Sequence, residues 1–95
     1  MSEGKLVRIR AVVTGRVQGV GFRYFARHAA LALKVSGWVM NRPDGGVEFE
    51  VQGPELTIGA FRDAMRQGPQ AGYVDSYQEE PLPALAGDKG FVIRH

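Results

Sequence analysis

The residues best suited to chemistry form a glycine-rich stretch that ends in an arginine, Gly15-Arg16-Val17-Gln18-Gly19-Val20-Gly21-Phe22-Arg23. Glycine lets backbone N–H groups turn toward one point without a Cβ penalty, and the N-terminus of a following helix adds unpaired N–H donors. Arg23 supplies a planar set of donors that suits a phosphate or a carboxylate. The stretch therefore predicts an anion-binding loop, although the same glycines equally fit a tight turn that binds nothing.

The stretch lacks the common nucleotide-binding motifs. A P-loop ends in Gly-Lys-Ser/Thr, and a dinucleotide fingerprint has a further glycine three residues after Gly21, where this chain has Tyr24.

A second polar residue of interest is Asn41, which precedes a hairpin signal and can point toward the same sheet edge as the loop. An amide can hold a water molecule because it donates and accepts hydrogen bonds at once.

The elements that must position these residues follow from the hydrophobic period. Residues 5–14 alternate apolar and polar side chains, which predicts a half-buried strand. From Phe22 the apolar residues recur at helical spacing. Residues 35–41 predict a second strand, in which Gly37 indicates a point of close packing.

A hairpin and a second helix follow. Asp44-Gly45 suits the tight turn of a hairpin, and the alternation of residues 47–52 predicts a third strand that pairs with the second. Gly53-Pro54 is expected to stop this strand, with Pro54 at the first position of a helix that ends at Gly68-Pro69.

The C-terminal part is less regular. Residues 73–77 predict a fourth strand whose imperfect alternation indicates a bulge, the prolines and glycine within residues 81–87 predict a loop, and residues 90–94 predict a short last strand. The order of elements predicts an α+β fold, a ferredoxin-like two-layer sandwich of βαββαβ type. We expect an antiparallel sheet with both helices on one face.

Length and composition limit the class of protein. Ninety-five residues with 44% hydrophobic content predict a single domain over residues 1–95. No apolar run is long enough for a membrane helix, and the N-terminus lacks a signal-peptide pattern, so we expect a cytoplasmic protein with no membrane partner. The absence of cysteine excludes disulfides, thiolate catalysis and cysteine-bound zinc.

Charge is divided unevenly along the chain. Residues 1–43 have a formal charge of +7 and residues 44–95 one of −5, for a net charge of +2. The positive half fits an anionic ligand, nucleic acid included. Ion pairs between the two halves explain the division equally well.

Two longer motifs are more specific than the glycines alone. Gly15-x-Val17-Gln18-Gly19-Val20-x-Phe22-Arg23 and Gly37-Trp38-Val39-x-Asn41-x-x-Asp44-Gly45-x-Val47-Glu48 resemble both motifs of the acylphosphatase family, at the family's usual separation. Gly53, Gly68-Pro69 and Gly90-Phe91-x-Ile93-Arg94 extend the resemblance over nearly the whole chain. The resemblance implies the ferredoxin-like sandwich and hydrolysis of the carboxyl–phosphate bond of acyl phosphates, without metal or cofactor.

The resemblance also implies the site residues. Arg23 would bind the phosphate together with backbone N–H groups of the loop, and Asn41 would hold the attacking water. The implied ligands are a small acyl phosphate and, as competitors, inorganic phosphate or other anions. We expect a monomer that binds no nucleic acid. The implied phosphate-binding residues are Gln18, Gly19, Val20, Gly21, Phe22 and Arg23.

Two non-catalytic functions stay open beside this one. An acylphosphatase-like domain can bind anions without turnover, because a fold does not guarantee activity. Ferredoxin-like sheets also bind RNA on exposed aromatic residues, and residues 89–93 faintly resemble the RNA-binding strand motif. The first strand, however, contains no aromatic residue.

The remaining candidates are weaker. His28 and His95 are far apart in sequence and predict no metal site. The acidic residues Glu48, Glu50, Glu79 and Glu80 are more typical of solvated strands than of a glycosidase pair. An acyl pocket can be built from aromatic residues, although most aromatic residues of a small domain lie in its core. The aromatic candidates are Trp38, Tyr24 and Tyr77.

Overall fold

The computed structural model describes residues 5–95, which form five strands and two helices. The predicted order of elements is confirmed, and the first helix begins at Phe22 as expected. No helix in the described part of the chain is long and apolar enough to cross a membrane. The elements are β1 Leu6–Arg16, α1 Phe22–Leu33, β2 Ser36–Asn41, β3 Val47–Pro54, α2 Glu55–Gln67, β4 Tyr73–Leu82 and β5 Phe91–Arg94.

The strands form one mixed sheet in the order β4-β1-β3-β2-β5. The predicted antiparallel arrangement holds for β4, β1, β3 and β2, whereas β5 pairs parallel with β2. The direction of β5 has a topological cause, because the last residue of β4 and the first residue of β2 lie at the same end of the strands. The connecting segment stays at that end of the sheet, so β5 starts beside the start of β2 and runs in the same direction.

Both helices cover one face of the sheet, as predicted. Alternate residues from Ile9 to Val13 of β1 and from Val47 to Val51 of β3 point to this face and are at most 5% exposed. They pack against apolar residues of α1 and α2 in one core. The largest fully buried side chains include Phe22, Phe49 and Phe61, and the rings of Phe49 and Phe61 meet edge to face at 5.3 Å between centroids. This core fixes β1 and α1, the two elements that hold the glycine-rich stretch.

Two prolines lie elsewhere than predicted. Pro54 ends β3 with an extended backbone and caps α2, which begins one residue later at Glu55. Pro81 lies inside β4, opposite Ile9 of β1, and not in a loop. The sheet tolerates Pro81 because β4 is an edge strand and an edge position can lack a donor.

Two predictions about local backbone are confirmed. The register between β1 and β4 shifts between Thr14 and Gly15, which leaves Asp75 as the extra residue of the predicted bulge in β4. At Gly37 the neighbouring strand approaches so closely that a Cβ atom would collide with the carbonyl oxygen of Glu50. The expected close packing at this glycine therefore exists.

The uncovered face of the sheet carries ion pairs between the two halves of the chain. Arg8 is only 4% exposed and donates to Glu50 Oε1 at 2.9 Å and to Asp88 Oδ2 at 2.8 Å. Arg10 donates to Glu48 Oε2 at 2.6 Å. Much of the uneven charge along the chain is thus paired across the fold.

The pair of Arg8 and Asp88 predicts an acid-dependent part of the stability. The hydrogen bond from Arg8 holds the pKa of the Asp88 carboxyl below its ordinary value of 3.8, so its contribution is present above that pH and is lost as the pH falls through the lowered pKa. We expect Asp88→Asn to reduce the free energy of unfolding at pH 7 by about 1–2 kcal/mol. Urea unfolding should show this difference shrink between pH 5 and about pH 3. A difference that stays constant with pH would contradict it.

Candidate active site

The glycine-rich loop, residues 17–21, connects the end of β1 to the start of α1. Gly19 and Gly21 have φ angles of 75° and 79°, in the left-handed region that favours glycine. A Cβ atom at either position would meet nothing within 4 Å, so both glycines border open space. Val17 and Phe22, which are 1% and 2% exposed, anchor the loop in the core on either side.

The start of α1 leaves donors free at this loop. Gly21 is the N-cap residue, no side chain caps the helix, and its first turn contains no acidic residue. Among residues 5–95, no carbonyl or side chain accepts a hydrogen bond from the backbone N–H groups of residues 18–24. These unpaired donors and the positive end of the helix dipole favour an anion at this point.

A cleft of about 220 Å³ lies at this end of the sheet. It brings together the two catalytic candidates, Arg23 and Asn41, although they are 18 positions apart in the sequence. Of the predicted phosphate-binding residues, Gln18 and Val20 do not line the cleft. Val20 packs against the core instead. The lining residues are Val17, Gly19, Gly21, Phe22, Arg23, Tyr24 and Asn41.

Asn41 is the last residue of β2 and pairs with Val47 across the hairpin. It is partly buried, and its side-chain amide forms no hydrogen bond with any other residue in the range 5–95. An amide without a protein partner at the wall of a cleft can bind a water molecule through its oxygen or its NH₂ group.

The guanidinium of Arg23 has one protein partner that sequence reasoning missed. Nη1 of Arg23 donates to Nδ1 of His95 at 3.2 Å, and no carboxylate within residues 5–95 forms an ion pair with it. The contact joins residues 72 positions apart, and it depends on the parallel direction of β5. Because no carboxylate in this range pairs with it, the positive charge of Arg23 is available to an anion.

The side chain of Gln18 has a structural role in this geometry. Its Nε2 donates to the carbonyl oxygens of Arg42 and Gly46, at 2.7 and 2.8 Å, and so ties the loop to the hairpin that follows Asn41. A further hydrogen bond stabilises the hairpin itself, because Asp44 Oδ1 accepts a hydrogen bond from Gly46 N at 3.0 Å. That bond, together with the Arg42 guanidinium, holds the pKa of the Asp44 carboxyl below its usual value.

The other sequence candidates lie away from the cleft, with one exception. Glu48 and Glu50 accept hydrogen bonds from arginines on the uncovered face, and Trp38 packs under the guanidinium of Arg94 at 4.5 Å. Tyr24 is the exception, because it is 66% exposed and lines the cleft.

Two further candidates form a cluster of their own. The ring of Tyr77 lies beside Phe49, its hydroxyl donates to Glu79, and burial raises its pKa. Glu79 also accepts from Arg62, and this hydrogen bond lowers the pKa of the Glu79 carboxyl. No group of three or more potential metal ligands occurs among residues 5–95.

A larger groove, of about 550 Å³, lies at the opposite end of β1. Lys5, Glu55, Arg62 and Glu79 are among its lining residues. Arg62 and Glu79 are already paired at 2.7 Å. The groove contains none of the predicted site residues, so size alone does not identify the candidate site.

Comparisons with known proteins give one family. The acylphosphatase family model matches residues 9–93. The chain is 43% identical to the acylphosphatase of Geobacillus kaustophilus over 88 residues, covering 93% of this chain and 94% of the relative, and 44% identical to that of Caldivirga maquilingensis over 93 residues, covering 97% and 98%. The crystal structure of the acylphosphatase from Bacillus subtilis superimposes with a TM-score of 0.89 at 39% identity, over 94% of this chain and 99% of that one.

Proposed function

The chain belongs to the acylphosphatase family and is an enzyme that hydrolyses acyl phosphates, and on that premise we propose how the cleft performs the reaction. Residues 18–22 and Arg23 hold the phosphoryl group, and Asn41 holds the attacking water. The observation that supports this assignment is that Gly19 and Gly21 of the loop line one cleft together with Arg23 and Asn41.

Binding depends on donors that are in place before the substrate arrives. The N–H groups of the loop have no partner among the described residues, and Arg23 adds a charged donor whose fork matches two phosphate oxygens. These groups compensate the charge on the phosphoryl oxygens as it redistributes in the transition state. Inorganic phosphate and other anions compete for the same donors.

The chemical step is an in-line displacement at phosphorus. The oxygen of the water bound to Asn41 forms a bond to phosphorus, the bond between phosphorus and the acyl oxygen breaks, and the carboxylate leaves with the electron pair. A carboxylate whose conjugate acid has a pKa of about 4 is a good leaving group, so the reaction needs no general acid. A phosphate oxygen of the substrate accepts the proton from the water. Asn41 contributes orientation rather than basicity.

Phosphate release from acetyl phosphate in the presence of excess EDTA tests this function. We expect release that inorganic phosphate inhibits competitively, because both anions occupy the loop. A wild-type enzyme that releases no phosphate would refute the proposal. If the protein instead bound an RNA oligonucleotide with strongly salt-dependent affinity and had no hydrolytic activity, the RNA-binding alternative would replace it.

Replacement of Gln18 tests whether the loop and the hairpin must be held together. Gln18→Leu removes both hydrogen bonds to the hairpin while it keeps a similar volume. We expect kcat/KM for acetyl phosphate to fall about tenfold, because the water and the phosphoryl group are then less well aligned. Gln78→Leu, on the exposed surface of β4, is the matched control. Equal activity of the two variants would argue against the positioning role.

A further inference from the structure

The ring of His95 lies beside both catalytic candidates of the site. Its Nδ1 accepts a hydrogen bond from Nη1 of Arg23 at 3.2 Å. β5 runs parallel to β2, with Arg94 opposite Met40. The residues that follow this pair, His95 and Asn41, are therefore neighbours at the same end of the sheet. Because the ring is exposed and touches the guanidinium, an anion that lies against Arg23 is within its reach.

The protonation state of the ring decides what this contact is. A neutral imidazole accepts through Nδ1 when its proton is on Nε2, and the contact with Nη1 of Arg23 requires this form. A protonated imidazole has a donor at both nitrogens, so Nδ1 can no longer accept from Arg23. Two cations then lie side by side, and an anion bound between them relieves their repulsion.

No side chain offsets a positive charge on this ring. Among residues 5–95, no carboxylate forms an ion pair with His95, and Arg23 is the only hydrogen-bond partner of the ring. The nearby carboxylates of Asp44 and Glu48 already accept hydrogen bonds from Arg42. The basic residues on the surrounding elements are Arg23 and Arg27 on α1, Arg42 in the hairpin and Arg94 on β5.

Imidazole is the group in this region whose charge changes between pH 5 and pH 8. Carboxylates, the α-carboxyl group of the chain included, remain ionised in that range, and arginines stay protonated. His28, five positions after Arg23 on α1, is the only other histidine in the sequence. Of the two histidines, only His95 contacts Arg23.

We propose that His95 is a second cationic ligand of the phosphoryl group, and that its protonation strengthens anion binding in the cleft as the pH falls from 8 to 5. The inference rests on the proposed function, because it takes the anion to lie against Arg23. The direction follows from charge, since the protonated ring adds one positive charge and a charge-assisted hydrogen bond to the ligands of a dianion. By linkage, a bound anion favours the protonated ring to the same extent.

The affinity for sulfate at two pH values tests the proposal. Sulfate stays a dianion throughout this range, whereas phosphate changes its own charge. Isothermal titration calorimetry at equal ionic strength should give an affinity of the wild type about tenfold higher at pH 5 than at pH 8. His95→Gln keeps an oxygen that can accept from Arg23 and cannot gain a proton, so its affinity should change less than about twofold. His28→Gln is the matched control and should keep the tenfold change. Both histidines are exposed, so neither replacement disturbs the core.

The outcomes separate this inference from the function on which it rests. A wild-type affinity that does not change with pH would overturn the role of His95, and so would a tenfold change that persists in His95→Gln. The proposed function would stand in both cases, provided that the enzyme hydrolyses acetyl phosphate. A wild type that binds no sulfate at either pH and releases no phosphate from acetyl phosphate would refute the function itself.

Discussion

Arg23→Ala is expected to lower kcat/KM for acetyl phosphate by about a thousandfold, because a guanidinium that stabilises a phosphoryl-transfer transition state contributes a factor of this order or more. Arg23 is the one arginine that lines the cleft, and the only hydrogen-bond partner of its guanidinium among residues 5–95 is the ring of His95. The loss should affect affinity as well as turnover. Inorganic phosphate should raise the Tm of the wild type and leave that of the variant unchanged, since stabilisation by a ligand follows its affinity for the folded state.

Two further variants distinguish the role of Arg23 from a general effect of positive charge. Arg27→Ala removes an exposed arginine one turn further along α1 that does not line the cleft, and its activity should stay within about twofold of wild type. Arg23→Lys retains the charge but not the planar fork, and it should recover only part of the lost activity. Near-normal kinetics of Arg23→Ala would disprove the assignment of the phosphate site.

Asn41→Ala is expected to lower kcat about a hundredfold while phosphate still binds, because the amide orients the water and does not hold the anion. The partly buried side chain has no hydrogen-bond partner in the described chain, so its removal leaves no protein group unsatisfied. Initial rates with acetyl phosphate measure kcat, and the shift of Tm with added phosphate measures anion binding. The opposite pattern, normal kcat with lost phosphate binding, would place Asn41 at the anion instead.

Gln78→Ala is a suitable control for the Asn41 variant. It removes an amide of similar polarity from the exposed surface of β4, on a strand that contributes nothing to the cleft. Both its rate and its response to phosphate should match those of the wild type. Together the Arg23 and Asn41 variants separate binding of the anion from delivery of the nucleophile.

Much of the fold was predictable because hydrophobic period and turn residues act locally. The alternation in β1, the helical spacing from Phe22 and the Asp44-Gly45 turn each specify an element without knowledge of the rest of the chain. That Asn41 lies near the loop could also be inferred, since the last residues of β1 and β2 are at the same end of the sheet. The particular site residues, however, came from the resemblance of the two motifs to the acylphosphatase family.

Other features depend on the position of a strand in the finished sheet and left no local signal. Pro81 is compatible with β4 only because β4 is the outermost strand of the sheet. The direction of β5 follows from the end of the strands at which the segment from β4 to β5 runs. The contact of His95 with Arg23 is a consequence, because an antiparallel β5 would end at the opposite side of the sheet. Likewise, nothing around Gln18 in the sequence indicates that its amide reaches Arg42 and Gly46.

The two hydrogen bonds of Gln18 also determine when the loop becomes ordered. A glycine-rich segment loses much conformational entropy when it is fixed, and in a flexible loop this loss would be subtracted from the affinity at every binding event. Here the amide of Gln18 joins the loop to the hairpin as the chain folds. The loss of conformational entropy therefore reduces the stability of the fold and not the affinity for the substrate. We therefore expect the loop to be ordered before the substrate binds.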